Sequence, residues 1–195
     1  MGKVLGRVIV GAAVAAVAMF IIGFIFFGTP LAKLGMASLG DTEAAAVQQA
    51  MAANLPRTGT YSVPSIDTPA QTNMYSQGPV ATIHYNTSGF AGVDSTSLVS
   101  GLVLNFIVAL LIGIAISTIA DRVGDMGSRA KVAAVIALAV SAFNFFCKPI
   151  YFHQDWGFAV YMFVAQALML VAAALILAWF LPRDRRAPAD APTEV

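Results

Sequence analysis

The chain has 195 residues, of which 58% are hydrophobic and 11% charged, and its formal net charge is +1. Soluble domains carry about 25% charged residues, so this composition excludes an ordinary water-covered globule and indicates lipid as the solvent for much of the surface. The near-neutral charge gives no basis for nucleic-acid binding, and the single cysteine, Cys147, excludes an internal disulfide and a cysteine-rich metal cluster.

Four apolar segments reach the ~20 residues that a transmembrane helix needs. They cover about residues 7–28, 97–120, 131–149 and 158–181. Pro149 is expected to end the third segment, because proline lacks the N–H that continues a helix. The first segment follows a basic start as a signal peptide does, but its apolar core exceeds the ~7–15 residues of a signal sequence, so we expect an uncleaved anchor.

The basic residues predict the orientation of these segments. Eight of the eleven basic residues flank those ends of the segments that would lie on one side of the membrane. They are Lys3, Arg7, Arg122, Arg129, Lys131, Arg183, Arg185 and Arg186. Cytoplasmic loops carry such an excess, so both termini are predicted to lie in the cytoplasm of a bacterium, with the chain in its inner membrane. Residues 29–96 would then be periplasmic, and residues 182–195, rich in Pro and Ala, are predicted to be a disordered cytoplasmic tail.

Residues 29–96 are predicted to form a small α/β cap outside the membrane. Asp41 is a candidate N-cap for a helix that runs to about Asn54, with an apolar stripe on one side. Residues 60–63 and 79–86 are predicted to be two short strands, separated by a connection rich in Pro, Asn and Gln. Because two strands alone are marginally stable in water, they need support from the helix, the bundle or a partner.

Three amide side chains interrupt the apolar segments: Asn105, Asn144 and Gln166. At 1.5 Å per residue, each is expected about 8–12 Å below the outer surface, in one hydrogen-bonded cluster if the last three segments pack together. The cluster could simply fix how the helices pack. It could also form a small polar pocket that opens to the outside of a solute transporter or channel. No Asp, Glu, Lys, Arg or His lies in the middle of a segment, which argues against proton-coupled transport.

The second apolar segment also carries small or polar residues at every fourth position, a pattern typical of close helix packing. They are Ser97, Gly101, Asn105, Ala109, Gly113 and Ser117.

The turn between the third and fourth segments contains the residues best suited to other chemistry. His153 and Asp155 lie there, and His84 is predicted on the same side of the membrane; together they are weak candidates for a metal site. Cys147 is expected in apolar surroundings, where a thiol stays protonated and inert. No nucleotide-binding, hydrolase or haem-attachment motif occurs, so we predict neither a catalytic residue nor a cofactor.

Residues 78–83 (GPVATI) and 149–156 (PIYFHQDW) carry a resemblance to a family of small uncharacterised proteobacterial membrane proteins. Members of that family have an N-terminal membrane helix, an outside loop and three further spans. The resemblance covers the layout of the chain and implies no activity or functional residue.

The sequence therefore predicts an all-α membrane protein: a four-transmembrane-helix bundle with a small α/β extracytoplasmic cap. Its divisions are a first span at 1–28, the cap at 29–96, three spans at 97–181 and a tail at 182–195. The hypothesis for function is a non-enzymatic accessory or assembly subunit of a larger membrane complex, in contact with lipid and with other membrane proteins or a second copy. The alternatives are a small solute transporter or channel and a membrane metal protein or enzyme.

Overall fold

The computed structural model describes residues 2–120, 123 and 125–181. Its elements in chain order are helix α1 (Gly2–Phe27), a 3-10 helix (Pro30–Leu34), helix α2 (Asp41–Asn54), strand β1 (Gly59–Val63), helix α3 (Pro69–Gln77), strand β2 (Ala81–Tyr85) and helices α4 (Ser95–Ile119), α5 (Met126–Phe152) and α6 (Trp156–Phe180). Within the described residues, α1, α4, α5 and α6 are long and apolar enough to cross a membrane. The prediction of four such helices with a small two-stranded element is confirmed. The predicted tail at 182–195 lies outside the described residues.

Three of the long helices begin at an aspartate that caps their first turn. Asp94 accepts a hydrogen bond from the backbone N–H of Thr96, Asp125 from that of Ser128, and Asp155 from that of Phe158. These carboxylates satisfy N–H groups that have no partner inside the helix. They also place the helix starts at Ser95, Met126 and Trp156, a few residues before the starts expected from hydropathy.

Helix α5 continues through Pro149, so the prediction that this proline ends the helix is wrong. The ring is buried, and the helix ends three residues later at Phe152. A proline removes the hydrogen bond to the carbonyl four residues earlier, and it stands here in the last turn, where only that one bond is lost. Membrane helices tolerate such a position because packing supports the rest of the turn.

The centre of the bundle is the contact of α1 with α4 and α6. Helix α5 packs mainly on α6 and only sparsely on α4. Small residues make the centre narrow: Ala12, Ala15, Ala109 and Ala173 are completely buried. Small side chains at these positions let the backbones of the helices approach closely, a packing mode typical of helices that span membranes.

Tyr161 of α6 ties the start of the cap to the bundle. Its hydroxyl donates to the carbonyl oxygen of Phe26 at 2.5 Å, and its ring lies against those of Phe26 and Phe27. Gly35, which follows the 3-10 helix, is buried directly against this ring, and a Cβ there would lie 2.5 Å from the tyrosine Cδ1. Only glycine therefore fits at position 35 without a shift of the aromatic ring.

Strands β1 and β2 pair antiparallel, with Tyr61 opposite Ile83, as the two predicted strands require. Their connection contains a helix that the sequence analysis missed, α3, which Thr68 caps by accepting a hydrogen bond from the N–H of Gln71. Helix α2 spans the predicted residues, but its N-cap is Gly40 rather than the predicted Asp41, which is the first helical residue. No residue from 36 to 108 is buried, so the cap has no core of its own.

Candidate functional site

Two of the three predicted amides meet in the structure. The side-chain nitrogen of Asn144 on α5 donates to the side-chain oxygen of Gln166 on α6, at 3.0 Å. Asn144 is eight residues before the end of α5, about 12 Å at 1.5 Å per residue. The pair therefore joins the two helices well below the aromatic residues of their connecting turn.

Asn105 of α4 is not part of this hydrogen bond. Its side chain is half-buried and makes no hydrogen bond to another described residue. Asn144 is exposed in the isolated chain, although the sequence analysis expected it inside a cluster of three amides. An amide in hydrocarbon is costly unless its hydrogen-bonding groups find partners. The amides thus leave hydrogen-bonding capacity at the bundle surface that the described part of the chain does not use.

An apolar groove of about 460 Å³ lies between α4 and α5, with Leu170 and Ala174 of α6 as its floor. Its walls are residues of α4 between Val108 and Ile119 and residues of α5 between Val132 and Val140. The groove exists because α5 packs on α6 and leaves α4 almost untouched along this length. It occupies the half of the bundle away from the cap.

The groove and the amides share helix faces. Asn105 precedes Val108 by three residues, Asn144 follows Val140 by four, and Gln166 precedes Leu170 by four. Residues three or four apart lie on the same side of a helix, one turn apart. The apolar lining on all three helices is therefore followed, toward the cap, by an amide. The sequence pattern predicted the common depth of the amides but not the groove below them.

The candidate metal ligands have structural roles. The ring nitrogen Nδ1 of His84 lies 3.1 Å from the hydroxyl of Thr60 across the paired strands. His153 ends α5 in the left-handed conformation (φ 53°), and its ring lies 6.2 Å from that of Tyr75 of α3. Asp155 caps α6. Within the described ranges, no three His, Cys, Asp or Glu side chains are grouped so that they could hold a metal ion.

Cys147 lies one turn from Asn144 and is half-buried, with its sulfur 3.7 Å from the carbonyl oxygen of Asn144. Among the described residues, the thiol has no other hydrogen-bond partner, so no neighbouring side chain is placed to act as its base. The opening of α6 beyond it is aromatic, with the ring of Phe146 4.8 Å from Phe163 and 6.2 Å from Trp156. Exposed Tyr151 and Trp156 stand at the end of the bundle, where interfacial aromatic side chains belong.

Two carboxylates at the ends of spans are hydrogen-bonded in ways that favour their charged form. The hydroxyl of Ser97 donates to Asp94 and lowers the pKa of that carboxyl. Ser128 does the same for Asp125, whose pKa is likewise lowered. Both groups are capping residues outside the spans, so these shifts concern helix stability rather than catalysis.

No protein-family model, no curated protein and no solved structure matches this chain. What the fold defines by itself is a mostly helical chain with four helices able to span a membrane.

Proposed function

We propose that the protein is a non-enzymatic accessory or assembly subunit of a larger complex in the bacterial inner membrane. Both termini face the cytoplasm and residues 29–96 face the periplasm. The observation that carries the proposal is the cap, in which no residue from 36 to 96 is buried. A segment of this length that orders two helices and two strands without a core needs surface from another molecule to cover its apolar side chains.

The exposed apolar side chains of the cap support this interpretation. Ile66 is 68% exposed, and Val47 and Met74 are close to half exposed, although all three lie far along the chain from the spans. Leu34, Phe90 and Val93 are exposed as well, but they flank the spans, where lipid can cover them. The first group therefore argues for a protein partner, and the second does not distinguish a partner from lipid.

Helix α4 supplies an independent argument. The lower part of its small-residue face is used inside the bundle, where Ala109 and Gly113 are buried. The upper part is not: a Cβ added at Gly101 would meet no atom within 4 Å, and Asn105 makes no hydrogen bond to a described residue. A small-residue face of this kind allows another helix to approach closely, and an amide at its edge provides a hydrogen bond for it.

Crosslinking in the native membrane tests the proposal. The full chain, expressed with an affinity tag at its natural level, is treated with a mild crosslinker, solubilised in gentle detergent and purified. We expect a stoichiometric partner or a second copy. Gly101→Leu should reduce its recovery, since the new side chain occupies the open face of α4.

Gly6→Leu is the matched control, because position 6 is also a helical glycine with no atom within 4 Å of an added Cβ. A clean monomer with no crosslinked species in the wild type would contradict the proposal. Equal recovery of the complex from Gly101→Leu, Gly6→Leu and the wild type would contradict the use of the open face of α4 as the contact surface.

The rival hypothesis of a solute pathway predicts a different outcome. Replacing Asn105, Asn144 and Gln166 by leucine would then leave membrane abundance unchanged and abolish uptake. The subunit proposal expects the same triple variant to lower abundance or complex recovery instead, because the amides serve contacts between helices.

A further inference from the structure

The three amides of the spans lie at one level of the bundle. Asn144 is eight residues before the end of α5, about 12 Å from the cap side at 1.5 Å per residue. Asn105 and Gln166 are each ten residues after the starts of α4 and α6, about 15 Å from the same side. Their levels therefore differ by only about 3 Å, in the cleft between α4 and α5 that continues the apolar groove toward the cap.

The hydrogen-bonding groups of these amides exceed what the chain uses. A primary amide has two N–H donors and an oxygen that accepts. Within the described residues, the only hydrogen bond of these side chains is the one from Asn144 to Gln166. Asn105 keeps all of its groups, and exposed Asn144 keeps its oxygen and one N–H. Acyl chains hold neither donors nor acceptors, so lipid at this level does not satisfy them.

A second copy of the chain supplies partners at the required level. Copies of one membrane protein insert with the same orientation, so a symmetric pair is related by an axis along the membrane normal. Each residue then meets residues of its own level in the other copy. Amides that share one level are complementary to themselves, because each is both donor and acceptor. A different protein would need a polar group placed independently at this depth.

We infer that the chain forms a two-fold dimer in which the α4–α5 clefts of two copies face each other. The rotation places α4 of each copy opposite α5 of the other, so Asn105 of one copy bonds Asn144 of the other, and this contact occurs twice. The groove next to the amides is aliphatic apart from Thr118, so the two clefts cover each other with apolar side chains. The inference rests on the proposed function, which requires a partner for the chain, and it names that partner.

Disulfide formation between two differently tagged variants tests this arrangement. Both carry Cys147→Ala, which removes the only native cysteine; one adds Val108→Cys and the other Val140→Cys. These positions line the groove on α4 and on α5 and leave the amides intact. In inner membranes from cells that co-express both variants, copper phenanthroline should join the two chains. Val103→Cys in place of Val108→Cys should not: residue 103 is 52% exposed, as Val140 is, but lies two residues from Asn105 and thus on the opposite side of α4.

The amides should set the strength of the dimer. Asn105→Leu in both copies removes both contacts between them and leaves the bond between Asn144 and Gln166 in place. We expect the membrane concentration that gives half-maximal disulfide formation to rise about sevenfold, which corresponds to the loss of two polar contacts of average strength between membrane helices. Asn105→Gln keeps an amide and should stay close to the wild-type value. In dilute detergent the copies separate, and only the bond within one chain remains.

Each outcome distinguishes this inference from the proposed function. Equal disulfide yields with Val103→Cys and with Val108→Cys would indicate random collision and would overturn the inference. An unchanged half-maximal concentration in Asn105→Leu would overturn it as well. If no disulfide forms while crosslinking in the native membrane recovers a different protein, the inference fails and the proposed function stands. If neither experiment yields a crosslinked species, both fail.

Discussion

Leu177 of α6 packs directly against Gly113 of α4: a Cβ at position 113 would lie 3.1 Å from the leucine Cδ2. The same position would put that Cβ 2.9 Å from a methyl group of Val8 on α1. Leu177 and Val8 are both almost completely buried, so neither can move aside into free space. This contact joins the three central helices, and glycine is the residue that permits it.

Gly113→Leu should therefore loosen the bundle. Overpacking a tight interior costs about 1–3 kcal/mol, and here both neighbours belong to other helices that would have to separate. We expect a lower midpoint of thermal unfolding in detergent and a lower abundance in the membrane. Gly6→Leu, which meets no atom within 4 Å, should leave both quantities near the wild-type values. Equal effects of the two substitutions would mean that α4 does not pack on α1 and α6 as described.

The hydrogen bond between Asn144 and Gln166 should appear as a coupling energy. In a double-mutant cycle with leucine at each position, the two substitutions should couple by about 0.6 kcal/mol, the average for polar contacts between membrane helices. Asn105→Leu should be additive with either of them, because no hydrogen bond joins Asn105 to another described residue. Reversible unfolding in mixed detergent measures all the required free energies. Strong coupling of Asn105 with Gln166 would contradict this prediction and would indicate that all three amides form one cluster.

The spans themselves follow from hydropathy, and their exact ends do not. Helix α5 begins at Met126, five residues before the predicted segment. The carboxylate of Asp125 accepts a hydrogen bond from the N–H of Ser128 and so stabilises a first turn that lies outside the apolar stretch. At the other end of α5, hydropathy and Pro149 both predict that the helix ends at about residue 149. The helix instead continues to Phe152, because its last turn is packed.

The start of helix α3 could have been predicted from the sequence. Thr68 followed by Pro69 is an N-cap followed by proline at the first helical position, and both residues favour a helix start. The contacts of the three amides, in contrast, could not be predicted from the sequence. Their depth follows from counting residues, but whether Asn105 reaches Asn144 depends on how α4 and α5 pack, and no helical period contains that information.

Acid should weaken the helix starts at Asp94 and Asp125. The hydroxyls and N–H groups of Ser97 and Ser128 lower the pKa of these carboxyls in the folded chain below their unfolded value. The unfolded state then binds more protons in this range, so stability rises with pH through it. The contribution is fully present above the unfolded pKa of about 4 and disappears as the pH falls through the lowered folded pKa.

Thermal unfolding between about pH 2 and pH 6 measures this effect. Asp94→Asn keeps a capping oxygen without the titration, so we expect a shallower decline in acid than in the wild type. Asp67→Asn is the comparison, because Asp67 contacts Ser65 in the cap and caps no span. Identical acid profiles for Asp94→Asn and the wild type would remove Asp94 as a source of the pH dependence.

The proposed orientation predicts which residues a membrane-impermeant maleimide can reach. Ser76 is exposed in α3 of the cap, and Ser128 is exposed in the first turn of α5, at the other end of the bundle. Since Cys147 is the only native cysteine, Cys147→Ala gives a background for single-cysteine variants. In intact bacterial cells, Ser76→Cys should react fully and Ser128→Cys should react only after the inner membrane is permeabilised, because the basic residues around 122–131 remain in the cytoplasm. Equal reaction of both cysteines in intact cells would place the two ends of α5 on one side of the membrane, and the bundle would then not span it.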